Sequence, residues 1–184
     1  MNSQFLLEKL INSSEYKEFM KENPKAYLCS GFFIIDLENK EAGNQYHFDF
    51  YIPESGKTFS FELENKNPQQ VLNSSGNPTE VGGIKLIPLE RYDEKILEKV
   101  SLKEDFDFDK IEKMISTEME LKKINNKIQK MIFSLQNVEN RDVLLGTIFV
   151  SGLGMIKADI DLKDKRITEF EKKSFFDMMK IIRK

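Results

Sequence analysis

In the runs QYHFDFYI (45–52) and KTFSFEL (57–63), apolar and aromatic residues recur two positions apart, with polar residues between them. A period of two is the signature of a strand with one buried face, and it excludes a helix, whose period is 3.6. The run AYLCSGFFIIDL (26–37) precedes them, and the turn-forming stretches ENKEAG and PESG separate the three. Pairing Ile35 with Tyr46 and Ile52 with Phe59 gathers Cys29, Phe33, Ile35, Tyr46, Phe48, Phe50, Ile52, Phe59, Phe61 and Leu63 on one face. A slip of one residue scatters that set over both faces, so the register is specified. The other face holds Phe32, Ile34 and Tyr51 on one side and His47, Asp49, Ser60 and Glu62 on the other. Being half apolar, it is expected to be covered on the side of the first strand.

Around this meander the pattern changes. Leu6, Leu7, Leu10, Ile11, Phe19 and Met20 predict one helix over 3–22, ended by Asn23-Pro24. Residues 65–83 read as a long loop and 83–91 as a fourth strand, with Pro88 marking a sheet edge. A long helix is expected over 108–138. Asp109 and Glu112 have capping-box spacing at its start. Met114, Leu121, Ile128 and Leu135 repeat every seven residues along it, a candidate dimer seam. Strands follow at 143–150, 155–162 and 166–170, with Phe149 set opposite Ile156 and Asp161 near Arg166. KSFFDMMKIIRK (173–184) reads as a closing helix with an apolar face.

The fold class expected is α+β, helices packed on antiparallel meander sheets in the order α-β-β-β-(β)-α-β-β-β-α. This order resembles the element order of cystatin-like and PepSY-type folds, and is close to that of type III secretion chaperones. The resemblance implies peptide or protein binding. Each half, 1–92 and 93–184, runs helix then meander, as one compact domain or two similar halves. The phrase IIDLENK (34–40) returns as DIDLKDK (159–165), but one strand out of step, so turn chemistry explains it as readily as duplication.

Composition and motifs narrow the function. With 28 basic and 31 acidic residues, the chain lacks the electrostatic footprint of a nucleic-acid binder. The first half is the more acidic, which leaves a chaperone-like acidic adaptor as one alternative. One cysteine, Cys29, allows no internal disulfide and no cysteine zinc cluster, and fits a reducing compartment. The charged N-terminal stretch does not read as a signal peptide, and no apolar run approaches the ~20 residues of a membrane span. The expected location is the cytoplasm.

PESGKT (53–58) lacks the first glycine of a phosphate loop, since Tyr51 stands there, and a strand follows instead of a helix. The acids of DFDFD (105–109) and DIDLKD (159–164) lack the glycine and glutamate of a calcium loop. The one histidine, His47, is expected on the opposite sheet face from Cys29, too far for a nucleophile–base pair. No metal or cofactor is expected. The reading is a non-catalytic protein- or peptide-binding module, self-associating as a homodimer, with Phe32, Ile34, Tyr51, Leu121 and Ile128 as contact candidates. The alternative is a small-ligand carrier or enzyme with a pocket between sheet and helix, lined by Tyr27, Tyr46 and His47.

Overall fold

The computed structural model describes residues 2–39, 43–64, 83–89 and 97–174. Of the long loop expected at 65–83, residues 65–82 lie outside the described residues, as do 175–184 of the closing helix expected over 173–184, while Lys173 and Ser174 end the last strand. The chain is α+β, and its described residues form three helices and eight antiparallel strands: α1 (Ser3–Asn12), α2 (Ser14–Glu22), β1 (Tyr27–Asp36), β2 (Gln45–Ile52), β3 (Lys57–Glu64), β4 (Ile84–Leu89), α3 (Phe108–Leu121), β5 (Ile128–Val138), β6 (Arg141–Val150), β7 (Gly154–Asp161) and β8 (Arg166–Ser174). The strands form one sheet in the order β4-β3-β2-β1-β5-β6-β7-β8. Two four-stranded meanders are therefore joined through their first strands, and β1 and β5 are central.

The helix expected over 3–22 is two helices. Asn12-Ser13-Ser14 offers the backbone capping chemistry that competes with helix continuation. Ser13 ends α1 and N-caps α2, its Oγ accepting from the Tyr16 N–H at 3.1 Å. The break sets α2 across β2 and β3, where Tyr16 and Phe19 stack edge-on against Phe50 and Phe61. Asn23 closes α2 as expected.

The helix expected over 108–138 is corrected more deeply. It stops at Leu121, with Lys123 at φ 57 and the Ile124 N–H bonded to the Met119 carbonyl. Its N-cap is Asp107, not Asp109: the Asp107 carboxylate accepts from the N–H groups of Asp109 and Lys110. Residues 128–138 are β5. Ile128 and Leu135 fit a seven-residue spacing, but Met131, Phe133 and Leu135 alternate inward as a strand, all fully buried. Glu139 and Asn140, both at positive φ, make the two-residue turn into β6. Leu121 and Ile128 share no helix, and the proposed dimer seam does not exist.

All three helices pack on one face of the sheet, the inner face. Phe33 on β1 and Phe133 on β5 pair at the centre, and Phe108 of α3 lies against both rings, at 5.3 and 6.2 Å between centroids. Phe48, Phe61, Tyr46, Leu144, Ile148 and Ile156 complete a continuous core. The β1–β2 and β2–β3 pairings are two residues away from those expected, with Phe33 opposite Tyr46 and Phe50 opposite Phe59. A slip of two keeps every side chain on its face. The β6–β7 pairing is different. Ile148, not Phe149, faces Ile156, so Val143, Leu145 and Phe149 lie on the outer face and not in the core. Pro88 sits on the edge strand β4, as expected.

The phrase IIDLENK/DIDLKDK is a local structure used twice. The Oδ1 of Asp36 accepts from the Glu38 and Asn39 N–H groups, and that of Asp161 from those of Lys163 and Asp164. Each aspartate also holds a cation: Lys130 at 2.9 Å and Arg141 at 3.0 Å. Asp161 stands opposite Arg166, as expected, but its ion partner is Arg141, and Arg166 pairs with Asp164. The Asn39 N–H and then Lys130 hold Asp36 below the ordinary carboxylate value. The Asp164 N–H, then Arg141 acting against burial, do the same for Asp161. Folded values below the unfolded ones add stability that is complete above the ordinary carboxylate range and lost as pH falls through the folded values. Urea midpoints measured from about pH 5 down to pH 2 are expected to fall steeply in the native chain and less steeply in Asp36→Asn/Asp161→Asn.

Candidate functional site

The sheet face opposite the helices carries the unexplained chemistry. On the central strands, register places Phe32 beside Ser134, Ile34 beside Ile132, Ile132 beside Thr147 and Ser134 beside Leu145. Phe149 follows one step along β6, opposite Lys130. Phe32 and Phe149 are each 39% exposed, and Ile34, Ile132 and Leu145 are half-buried. These five form a contiguous apolar patch on β1, β5 and β6.

Charged groups rim it. On the β7–β8 side Lys157 bonds Glu169 at 2.8 Å and lies 3.5 Å from Asp159, and Lys173 pairs with Glu171. Burial raises the Asp159 carboxyl above its ordinary value, while the bond from Lys157 lowers Glu169. On the β2–β4 side stand His47, Glu62 and Lys85, successive partners in one cross-strand row. The Asp36–Lys130 pair closes one end.

Sequence reasoning placed Phe32 and Ile34 on this face, and they are there. Tyr51 is on the same face but buried, stacked on Tyr27 at 5.6 Å. Ile132, Leu145 and Phe149 were missed because 128–138 reads as a helix and β6 as slipped by one residue. The ligand-pocket candidates divide between the faces. Tyr46 is fully buried in the inner core, its hydroxyl 3.1 Å from Asn44 Nδ2. Tyr27, on the outer face, donates to the Leu97 carbonyl at 2.8 Å. His47 lies on the outer face between the Phe32 ring and Ser60, whose Oγ is 3.4 Å from Nδ1.

Cys29 is buried, as expected, but does not stand opposite Ile52. It occupies a bulge between Leu28 and Ser30, where β1 carries one extra residue against β2. Its thiol donates to the Asp49 carbonyl at 3.2 Å. Ser30 Oγ donates to the Asp49 carboxylate at 2.7 Å. Among the described residues no cluster of three metal-ligating side chains occurs. Asp105 and Asp107 share a small cavity of about 140 Å³ with Asp161, but Asp107 caps α3 and Asp161 is bonded to Arg141.

A second concave feature lies on the helix side. A groove of about 660 Å³ opens between the last two turns of α3 and the start of β5. Leu37, Met119, Ile124 and Ile128 make its apolar floor, with Glu112, Glu120 and Lys127 at its rim.

No protein-family model matches the chain, and no curated protein matches it. Among solved structures, the crystal structure of a "putative lipoprotein" from Clostridium difficile 630 is similar at a TM-score of 0.48 and 14% identity, covering 86% of this chain and 90% of that one. Among the described residues no helix is long and apolar enough to cross a membrane.

Proposed function

We propose that the chain is a tandem of two equivalent halves, each with the cystatin-like order of helix then meander, and that it is a non-catalytic protein-binding module whose outer sheet face docks a second copy of itself. The tandem reading rests on register. Residues of β1 and β2 match residues of β5 and β6 at a constant spacing of 100. Leu28 pairs with Phe50 and Ile128 with Val150; Phe33 pairs with Tyr46 and Phe133 with Gly146. Both ladders are interrupted at the same place, between Leu28 and Ser30 and between Ile128 and Lys130. Phe33 and Phe133, equivalent by this spacing, pair with each other at the centre of the sheet.

Four inner positions keep their character between the halves, Phe33 and Phe133, Ile35 and Leu135, Phe48 and Ile148, Phe50 and Val150, while Tyr46 against Gly146 and Gly31 against Met131 do not. The outer positions of β2 and β6 differ, with Gln45 against Leu145, His47 against Thr147 and Asp49 against Phe149, whereas Phe32 and Ile132 are both apolar. A shared core requirement preserves the first set, and a surface with its own task accounts for divergence in the second.

The observation that carries the docking reading is the patch of Phe32, Ile34, Ile132, Leu145 and Phe149, apolar at the middle of the sheet and charged around it. Contiguous apolar surface with a polar rim marks interfaces. A twofold contact needs a self-complementary surface, and rims bearing both signs on both sides supply it. The sheet edges are poorly suited to pairing, because β4 carries Pro88 and Lys85 and β8 carries a ladder of Lys and Glu. Light scattering is expected to give about twice the 21.5 kDa chain mass for the native protein, and the single-chain mass for Phe32→Ser/Ile34→Ser with its melting temperature kept. A native monomer at high concentration contradicts the reading, as does a variant that stays dimeric.

A further inference from the structure

We infer that the groove between α3 and the start of β5 is a docking site for an extended peptide segment of a partner protein, in which a basic residue precedes a small branched apolar one. The inference rests on the equivalence of the two halves proposed above. It concerns a different surface from the outer patch.

In the first half the corresponding place is filled by the chain itself. The segment 97–102 crosses the start of β1 as irregular chain, with Leu102 at φ 43. Tyr27 donates to the Leu97 carbonyl at 2.8 Å, the Val100 N–H donates to the Leu28 carbonyl at 2.9 Å, and Asn137 Nδ2 donates to the Lys99 carbonyl at 3.1 Å. Val100 is buried in the core at 2% exposure. The spacing of 100 carries Tyr27, Leu28 and Asn137 onto Lys127, Ile128 and Leu37. All three line the groove. The second half therefore has the walls of a slot whose counterpart holds a segment of the chain.

The slot's chemistry selects its occupant. An apolar floor takes a side chain like that of Val100. Glu112 and Glu120 outnumber Lys127 at the rim, so a basic neighbour is favoured over an acidic one. One feature makes the contact exchangeable. In the first half the Asp142 carboxylate clamps the segment, accepting from the N–H groups of Ser101 and Leu102 and from Ser101 Oγ. The residue 100 positions before Asp142 in the sequence is Ala42, which carries no carboxylate.

The probe is a fluorescein-labelled peptide, Leu-Lys-Lys-Val-Ser-Leu, which is residues 97–102 of this chain with Glu98 replaced by Lys. Fluorescence anisotropy with the full chain is expected to show saturable binding. Glu120→Lys, an exposed change on α3, is expected to weaken it by about tenfold, and a peptide with Asp in place of Val is expected not to bind. Phe32→Ser/Ile34→Ser is expected to leave the affinity unchanged, which separates this site from the outer patch. Absence of saturable binding overturns the inference. So does binding that ignores Glu120→Lys, or that is lost in Phe32→Ser/Ile34→Ser.

Discussion

Phe33→Ala is expected to cost about 3–5 kcal/mol, the range for removing a large aromatic ring from a packed core. Phe33 is fully buried on a central strand. Its ring meets Phe48 at 5.5 Å, Phe106 at 5.8 Å and Phe108 at 5.3 Å, with Tyr46 at 6.5 Å. It is therefore in contact with its own sheet, with α3 and with the segment leading into α3. Deleting it removes the point at which helix and sheet are held together, and neighbouring rings of fixed shape do not collapse well into the space. Against a total stability of about 5–15 kcal/mol, that loss is large. A domain of this size is expected to lose about 2–4 °C of melting temperature per kcal/mol, which urea and thermal unfolding both read. Phe32→Ala, one residue away on the outer face, is expected to cost less than about 0.5 kcal/mol in the monomer. Equal losses at the two positions would contradict the assignment of faces.

Gly146→Val is expected to be comparably severe, for the opposite reason. A Cβ at Gly146 would stand 2.7 Å from the Ala158 carbonyl oxygen and 2.8 Å from the Phe133 ring. The ring can shift, but the carbonyl belongs to the β6–β7 ladder and cannot move without breaking it. Overpacking costs about 1–3 kcal/mol where side chains can yield, and here a backbone group is struck, so the upper end or beyond is expected. Adding Phe133→Leu to Gly146→Ala relieves the ring contact and leaves the carbonyl contact. Partial recovery of stability is expected from that pair, measured by urea unfolding. Full recovery would mean that the backbone gives way, and that β6 and β7 are less tightly paired than described.

The inner face of the first meander was legible because its phenylalanines alternate with polar residues. Even a pairing two residues out keeps Phe33, Phe48 and Phe61 together. The second meander was hidden by residues that satisfy two periods at once. Ile128 and Leu135 are seven apart, as on a helix face, yet Met131, Phe133 and Leu135 alternate as in a strand, and no proline or glycine marks the change. In β6 the difficulty is of another kind. Val143, Leu145 and Phe149 look as apolar as Leu144, Ile148 and Val150, and the inward position Gly146 has no side chain to betray its face.

These failures coincide with the candidate site. A strand whose exposed face is apolar loses the alternation by which its register is read, and exposed apolar residues are what a docking surface is made of. The bulge at Cys29 was invisible for a simpler reason: it adds one residue to a ladder without any local turn signal. What the bulge does show is that the apparent repeat IIDLENK/DIDLKDK misleads. That phrase encodes an aspartate turn wherever it falls, whereas the spacing of 100 that relates the two bulges leaves little trace in residue identity.

The most direct test compares two adjacent substitutions on β6, Ile148→Ser and Phe149→Ser, by melting temperature and solution mass. Ile148 is fully buried and Phe149 is 39% exposed on the opposite face. The account expects Ile148→Ser to unfold or to melt far below the native chain, and Phe149→Ser to melt with the native chain while its mass falls from dimer to monomer. A Phe149→Ser chain that unfolds while Ile148→Ser stays folded would contradict both the register and the docking face built on it.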